Sequence, residues 1–349
     1  MATPASPEPK RYRGAVIGAG GIARQSHLPA LRGPLHARVD VVALVDSARN
    51  VPPVDGIPIL PHRDALGEAG PVDFIDICTP TASHLELTLW GLEHGYHVVC
   101  EKPVALTRAE ASRITAAARA NDRLVMPCHQ YRYNPVWVRV KEWLASGVIG
   151  SWHLAEFSVY RVTADPGREA TAGTTPWRGT SAAGRGGVLL DHGTHLVYQL
   201  LDIAGMPGAV GAWTGRLRHA GYEVEDTASL RFEYPSRLVN MFFTWAARSR
   251  ENRIRFVGDA GSIEWAGGEL RLERGGHVER HDFSAELEKT AYHRWFACLF
   301  EAFVAALDRG DATTAGRPFL EDIRRVAGVV EDAYAAARTG RTVAIPDDA

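Results

Sequence analysis

A chain of 349 residues is longer than one ordinary hydrophobic core and points to two domains. With 46% hydrophobic and 23% charged residues it has the balance of a soluble globular protein. A formal net charge of -2 excludes a strongly basic nucleic-acid surface, and the lack of any apolar run of about 18 residues excludes a membrane span.

Residues 1–11, MATPASPEPKR, are polar and proline-rich and read as a disordered leader, not a signal peptide. The cysteines Cys78, Cys100, Cys128 and Cys298 form no CxxC pair. Reduced thiols in a cytoplasmic protein, with no metal site, are the expectation.

In chain order, YRGAVI (12–17) is a short apolar strand, followed by GAGGIA (18–23) and a helical stretch through Leu31. Gly18, Gly20 and Ala23 fill the small positions of G-x-G-x-x-G/A. Such residues allow the tight turn, the backbone approach to a pyrophosphate and close helix–strand packing. Gly18, Gly20, Gly21 and Ile22 are therefore candidate cofactor contacts. The strand VDVVALVD ends in Asp46, where a carboxylate accepts the hydroxyls of an adenosine ribose. That favours NAD, although Ser47 and Arg49 beside it leave NADP open. Strands at 73–80, 96–100 and 123–128 alternate with helices over 83–94 and 107–121, the second opened by a Thr107/Glu110 capping box. Alternation of this kind predicts a doubly wound parallel sheet, the Rossmann arrangement, over residues 12–130. Its ligands bind at the carboxyl ends of the strands, where Cys78-Thr79-Pro80, Cys100-Glu101-Lys102-Pro103 and Cys128-His129-Gln130 all fall. The three cysteines read as buried packing residues. Lys102 sits on the rim of the crevice, with Pro103 limiting its backbone, and can donate a hydrogen bond to a substrate oxygen.

Residues 131–349 form the expected second domain, for substrate binding and oligomerisation. A helix over 135–146 precedes the strand SWHLAEFSVYR (151–161). A glycine- and threonine-rich stretch, 164–187, leads into GGVLLDHGTHLVYQLLDIAG (186–205), whose apolar residues recur at helical spacing. Asp191 and His195 are four apart, one turn on one face, so Asp191 could orient His195 as it takes a proton. His192 lies about 100° round from Asp191 and is not expected to share that face. Short β segments from 208 to 283 suggest an antiparallel meander, and helices over 290–309 and 318–339 close the chain, the last one placed at the domain seam.

GAGGIA with Asp46, EKP at 101–103 and GG-x3-D-x-G-x-H at 186–195 together resemble the Gfo/Idh/MocA oxidoreductases, and the resemblance runs from about residue 12 to 345. It implies a second domain with an open, mostly antiparallel sheet. It also implies hydride transfer between NAD(P) and a secondary alcohol or ketone of a sugar or cyclitol. By motif position Lys102 is the catalytic lysine, Asp191 the orienting carboxylate and His195 the acid/base. Thr79, Pro80, His84 and Glu101 line the nicotinamide pocket, and Gln130 and Tyr131 meet cofactor or substrate. One departure stands out: Tyr198 occupies a position where the family often has Asp, which removes an expected polyol contact. Trp177 and Arg178 are candidates to stack on and hydrogen-bond a sugar ring. An enzyme that retains NAD while epimerising, transhydrogenating or cleaving a glycoside is the alternative. A dinucleotide sensor is a further one, disfavoured by the intact proton-transfer set. By analogy with the family, a homodimer or homotetramer covers the open sheet.

Overall fold

The structure is a computed structural model and describes residues 10–48, 51–54, 56–164 and 175–346. Most of the expected leader, Arg49, and residues 165–174 of the glycine- and threonine-rich stretch lie outside the described residues.

Six short strands form the first sheet: β1 (Tyr12–Ile17), β2 (Val39–Val45), β3 (Ile59–Leu60), β4 (Phe74–Ile77), β5 (His97–Cys100) and β6 (Val125–Pro127). All pair in parallel, in the order β3-β2-β1-β4-β5-β6. The chain steps outward from β1 to β3, then returns past β1 to β4. That reversal opens a crevice beyond the carboxyl ends of β1 and β4. β4 is buried along its length, as a strand covered on both faces must be. Helices α1 (Leu28–Arg32), α2 (His84–Glu93) and α3 (Arg108–Ala120) make the crossovers. The expected capping box opens α3: the Thr107 hydroxyl accepts from the Glu110 amide at 3.1 Å, and Glu110 reaches back to the Leu106 amide at 2.8 Å.

After helix α4 (Pro135–Ala145) the chain enters a nine-stranded mixed sheet. Its strands are β7 (Trp152–Tyr160), β8 (Ala209–Gly215), β9 (Thr227–Tyr234), β10 (Arg237–Thr244), β11 (Glu251–Gly258), β12 (Gly261–Ala266), β13 (Glu269–Arg274), β14 (His277–Asp282) and β15 (Val343–Ala344). A plain meander is not what forms. The order is β14-β13-β12-β11-β7-β10-β9-β8-β15, with β7 parallel to β10 and antiparallel to β11. β7 has nine residues, and later strands pair on both of its edges, so β10 and β11 are split apart. Helices α5 (Ser181–Gly184) and α6 (Thr194–Ala204) lie between β7 and β8.

The closing helices, α7 (Tyr292–Asp308) and α8 (Ala312–Thr339), return to the first sheet. Buried Phe296, Phe300 and Phe303 of α7 share a core with Tyr12, Val16 and Phe74. Sequence order alone assigns α7 to the second domain; its phenylalanines take it to the nucleotide sheet. α8 starts at Ala312, earlier than expected, because Asp311 caps it by accepting from the Thr314 amide at 3.0 Å. Pro318 lies inside it. Leu320, Ile323 and Ala327 of α8 pack into the first domain and Val329, Val330 and Ala333 into the second, so one helix crosses the seam.

Phe303 is fully buried, edge-on to Phe74 at 5.2 Å. Phe303→Ala should cost about 3–5 kcal/mol of stability, read from the urea midpoint. A loss below about 1 kcal/mol would mean that α7 is not part of this core.

Candidate active site

The glycine turn after β1 is built against the end of β4. Gly18 has φ +95°, and a Cβ on it would stand 2.9 Å from the Cys78 carbonyl group and the Thr79 amide. Only glycine fits there. At Gly20 and Gly21 the opposite holds: a Cβ would meet nothing within 4 Å, so free space and bare backbone lie beyond the turn. Asp46 accepts from the Ala19 amide at 2.8 Å and the Ala48 amide at 2.9 Å, which fixes its carboxylate beside the turn with further lone pairs to spare. Bare backbone at a helix start and a braced carboxylate at the end of β2 fit the pyrophosphate and the ribose of a dinucleotide. Ile22 is half-buried at the helix start, and Ser47 is exposed next to Asp46.

Behind this turn lies a buried polar chain that the sequence does not reveal. The stretch Ala23–His27 is a π turn, which swings His27 under the sheet. His27 Nδ1 is 2.8 Å from Asp76 in the middle of β4, and Nε2 is 3.1 Å from Glu101. All three are buried. Burial alone would lower the His27 pKa, but the Asp76 carboxylate raises it well above the ordinary value. Burial would raise the Glu101 pKa; the imidazolium beside it brings it down. The second Glu101 oxygen accepts from the Lys102 amide at 3.1 Å. Glu101 thus braces the rim from behind. His84, also buried, is 2.8 Å from the carbonyl oxygens of both Thr79 and Pro103 and ties the β4 and β5 rim loops together. Cys78, Cys100 and Cys128 are buried and their thiols are pushed up by burial, so they stay protonated packing groups.

Lys102 projects from the end of β5 toward the second domain. Its Nζ donates to Asp191 Oδ1 and to the Asp191 carbonyl oxygen, both at 2.7 Å. The Lys102–Pro103 peptide is cis. Asp191 is held well below the usual carboxylate range: burial opposes this, and Lys102, Arg178 and His192 outweigh it. Arg178 Nε stands 3.5 Å from Asp191 Oδ2, and its guanidinium lies over the Trp177 ring at 4.2 Å. These two candidates therefore meet the site as a pair.

The expected pairing of Asp191 with His195 is not what the chain makes. Leu189–Gly193 is a second π turn, and among the described residues no hydrogen bond joins Asp191 to His195. Asp191 lies instead 3.0 Å from His192 Nδ1, a close but off-axis contact, and is committed to Lys102. His195 Nδ1 pairs with the hydroxyl of Tyr198 at 3.0 Å, and that hydroxyl accepts the Tyr131 amide at 3.1 Å. The Tyr131 ring stacks on His195 at 4.2 Å and 8°. Tyr198 thus orients the histidine, a role that sequence spacing assigns to Asp191. Burial lowers the His195 pKa well below its ordinary value, with the charge of Lys102 adding to it. His192 is lowered to about 4, again by burial first. Gln130 is buried with its side-chain oxygen unpartnered, next to this group.

The glycine pair ahead of Asp191 is there for packing. A Cβ on Gly187 would stand 1.9 Å from the Glu225 carbonyl oxygen, and one on Gly186 would stand 2.6 Å from the Tyr334 hydroxyl.

Two comparisons with known families cover most of the chain. Residues 12–129 match the oxidoreductase family with an NAD-binding Rossmann fold, and residues 137–264 match the GFO/IDH/MocA C-terminal domain. The chain belongs to the Gfo/Idh/MocA oxidoreductase family. Among its relatives, D-apiose dehydrogenase of Paraburkholderia graminis is 28% identical, over 96% of this chain and 90% of that one. The NADP-linked scyllo-inositol 2-dehydrogenase of Bacillus subtilis is 30% identical over 40% of this chain and 37% of that one. In fold, the chain is similar to the WlbA dehydrogenase of Bordetella pertussis, solved with NADH and UDP-GlcNAcA, with a TM-score of 0.81 and 21% identity over 97% and 98% of the two chains. The Gfo/Idh/MocA chain described here is thus an oxidoreductase with an NAD-binding domain.

Asp46 repels a ribose 2′-phosphate, so NAD should bind at least about tenfold more tightly than NADP in isothermal titration. Tighter NADP binding would show that the carboxylate does not select.

Proposed function

We propose that this Gfo/Idh/MocA protein is an NAD-preferring dehydrogenase that interconverts a secondary alcohol and a ketone on a sugar or sugar derivative. The observation that carries the reading is the Lys102 ammonium, held 2.7 Å from Asp191 at the mouth of the dinucleotide crevice. The names of relatives that act on apiose and inositol support the substrate class. A nicotinamide bound in this crevice would supply the hydride acceptor.

The chain's own residues position the carbinol and move its proton. An ammonium has three N–H donors. Two of those on Lys102 go to Asp191, and the third is available to the carbinol oxygen. There it stabilises the charge that builds as the proton leaves. His195 takes that proton. In the tautomer whose Nδ1–H donates to the Tyr198 oxygen, Nε2 keeps its lone pair for this step. Burial and the Lys102 charge keep the ring neutral at neutral pH, the form that a base requires. In the reverse direction the same nitrogen returns the proton to the ketone oxygen.

A screen of sugars, cyclitols and sugar nucleotides with both cofactors, followed by nicotinamide absorbance, tests the reading. On the substrate found, Lys102→Met should lower kcat by about a hundredfold or more while NADH binding changes only a few-fold. A mutant that keeps most of its turnover would make the lysine structural.

The depressed His195 pKa places its acid limb below the ordinary histidine value of about 6.5. Oxidation should therefore stay level through neutral pH and fall only in acid. His195→Ala should remove that limb from the kcat profile, and Tyr198→Phe should shift it. An unchanged profile in His195→Ala would assign the proton to another group.

A further inference from the structure

Among the described residues, the crevice carries positive charge that the chemistry above does not use. Among the described residues, Lys102, Arg161 and Arg250 lie beside it, and the Lys102 ammonium is paired with Asp191. Glu101 is already shared with His27.

Arg161 follows directly on β7 and is only 8% exposed. Its three hydrogen bonds all go to uncharged oxygens. Nη1 donates to the Tyr160 carbonyl at 2.7 Å and the Glu251 carbonyl at 3.0 Å, and Nη2 donates to Asn252 Oδ1 at 2.8 Å. Arg250 donates to the Tyr292 hydroxyl at 3.0 Å. Among the described residues, neither guanidinium has a carboxylate within ion-pair distance. A desolvated cation without a counter-ion is costly, and the charges acting on Arg161 are the exposed Arg250 and, less strongly, Asp191. Burial and Arg250 bring the Arg161 pKa down to about 10, which still leaves it charged.

A guanidinium has five N–H donors. With both hydrogens of Nη1 and one of Nη2 used, Nε–H and the second Nη2–H remain. They sit on neighbouring nitrogens, the geometry that takes a carboxylate or phosphate through two parallel hydrogen bonds. Clipping β7 to β11 accounts for the three bonds made. It accounts neither for the donors left over nor for Arg250 beside them.

Arg161 belongs to the reacting centre's surroundings. Its charge acts on Tyr131 and His192, and Asp191 acts on it. Its carbonyl accepts the Ala247 amide at 3.0 Å, two residues from Trp245, whose ring meets His192 edge-on at 6.2 Å. Between this arginine pair and His195 lies an aromatic wall. Tyr131 stacks on His195, and Tyr292 and Trp295 stack on each other at 4.4 Å beside it. A sugar ring can lie along such a wall.

We propose that the substrate is an anionic sugar, whose carboxylate or phosphate binds at Arg161 and Arg250 while its carbinol lies at Lys102. The inference rests on the dehydrogenase reading and narrows its substrate class to sugars that carry an oxyanion.

The test is NAD reduction by matched trios: a hexose, its uronate and its 6-phosphate, for glucose, galactose and mannose. In a trio that is turned over, kcat/KM for an anionic member should exceed that of the neutral sugar by at least about tenfold, the scale of one charge-assisted hydrogen bond. Which anion is preferred distinguishes carboxylate from phosphate. Arg250→Met and Arg161→Met should each reduce the anionic-to-neutral ratio about tenfold. Arg161 also clips two strands, so Arg250 decides the matter if Arg161→Met fails to fold. Neutral sugars turned over as well as their anions would overturn the inference and leave the dehydrogenase reading standing. If no member is turned over, the dehydrogenase reading is left to the wider screen, and calorimetry of the same anions on NADH-loaded protein decides the inference. Anion binding weakened about tenfold by Arg250→Met supports it; no anion binding, or binding indifferent to Arg250, overturns it.

Discussion

The ammonium of Lys102 joins the two halves of this protein at the point where the chemistry is expected. It leaves the end of β5 in the nucleotide domain and lands on two oxygens of Asp191 in the other. Lys102 and Asp191 side chains keep only 10% and 18% of their surface exposed. A pair so far removed from water holds its geometry more than it adds stability, because desolvation offsets much of the attraction. Its consequence is positional. It stands between the dinucleotide crevice and the wall where Tyr131 stacks on His195.

Holding a lysine this closely needs rigid support on both sides. In the first domain the support is ionic: Asp76, His27 and Glu101 run from mid-strand to the Lys102 amide, and His84 laces the neighbouring loops. Removing one member would strand a buried charge, at a cost of about 3–5 kcal/mol. In the second domain the support is steric and neutral. Gly186 and Gly187 let the chain press against Tyr334 and Glu225, and the Tyr198 hydroxyl joins His195 to the Tyr131 backbone. α8 then spans both cores and limits how freely they move apart.

Two π turns lie where sequence spacing gives no guide to the polar partners made. Residues 23–27 and 189–193 each lie in a stretch that reads as ordinary helix in the sequence. His27 lies against Asp76, while Asp191 is bonded to Lys102 and His195 to Tyr198. Tyr198, met in the sequence as a missing carboxylate, becomes the histidine's partner. Nothing in a 3.6-residue period predicts either result.

What the sequence determined by itself is local or carried by motif: the alternation of strands and helices, the glycine turn with Asp46, the Thr107 cap, and Lys102 at a strand end. Each follows from residues a few positions apart, where backbone sterics and hydrophobic period decide the outcome. Tertiary structure decided the rest: β7 between β10 and β11, α7 against the first sheet, and Lys102 as the partner of Asp191. The Asp76–His27–Glu101 chain is of the same kind. These contacts join residues tens to hundreds of positions apart, and they form only when burial leaves a charge or an apolar face no other partner.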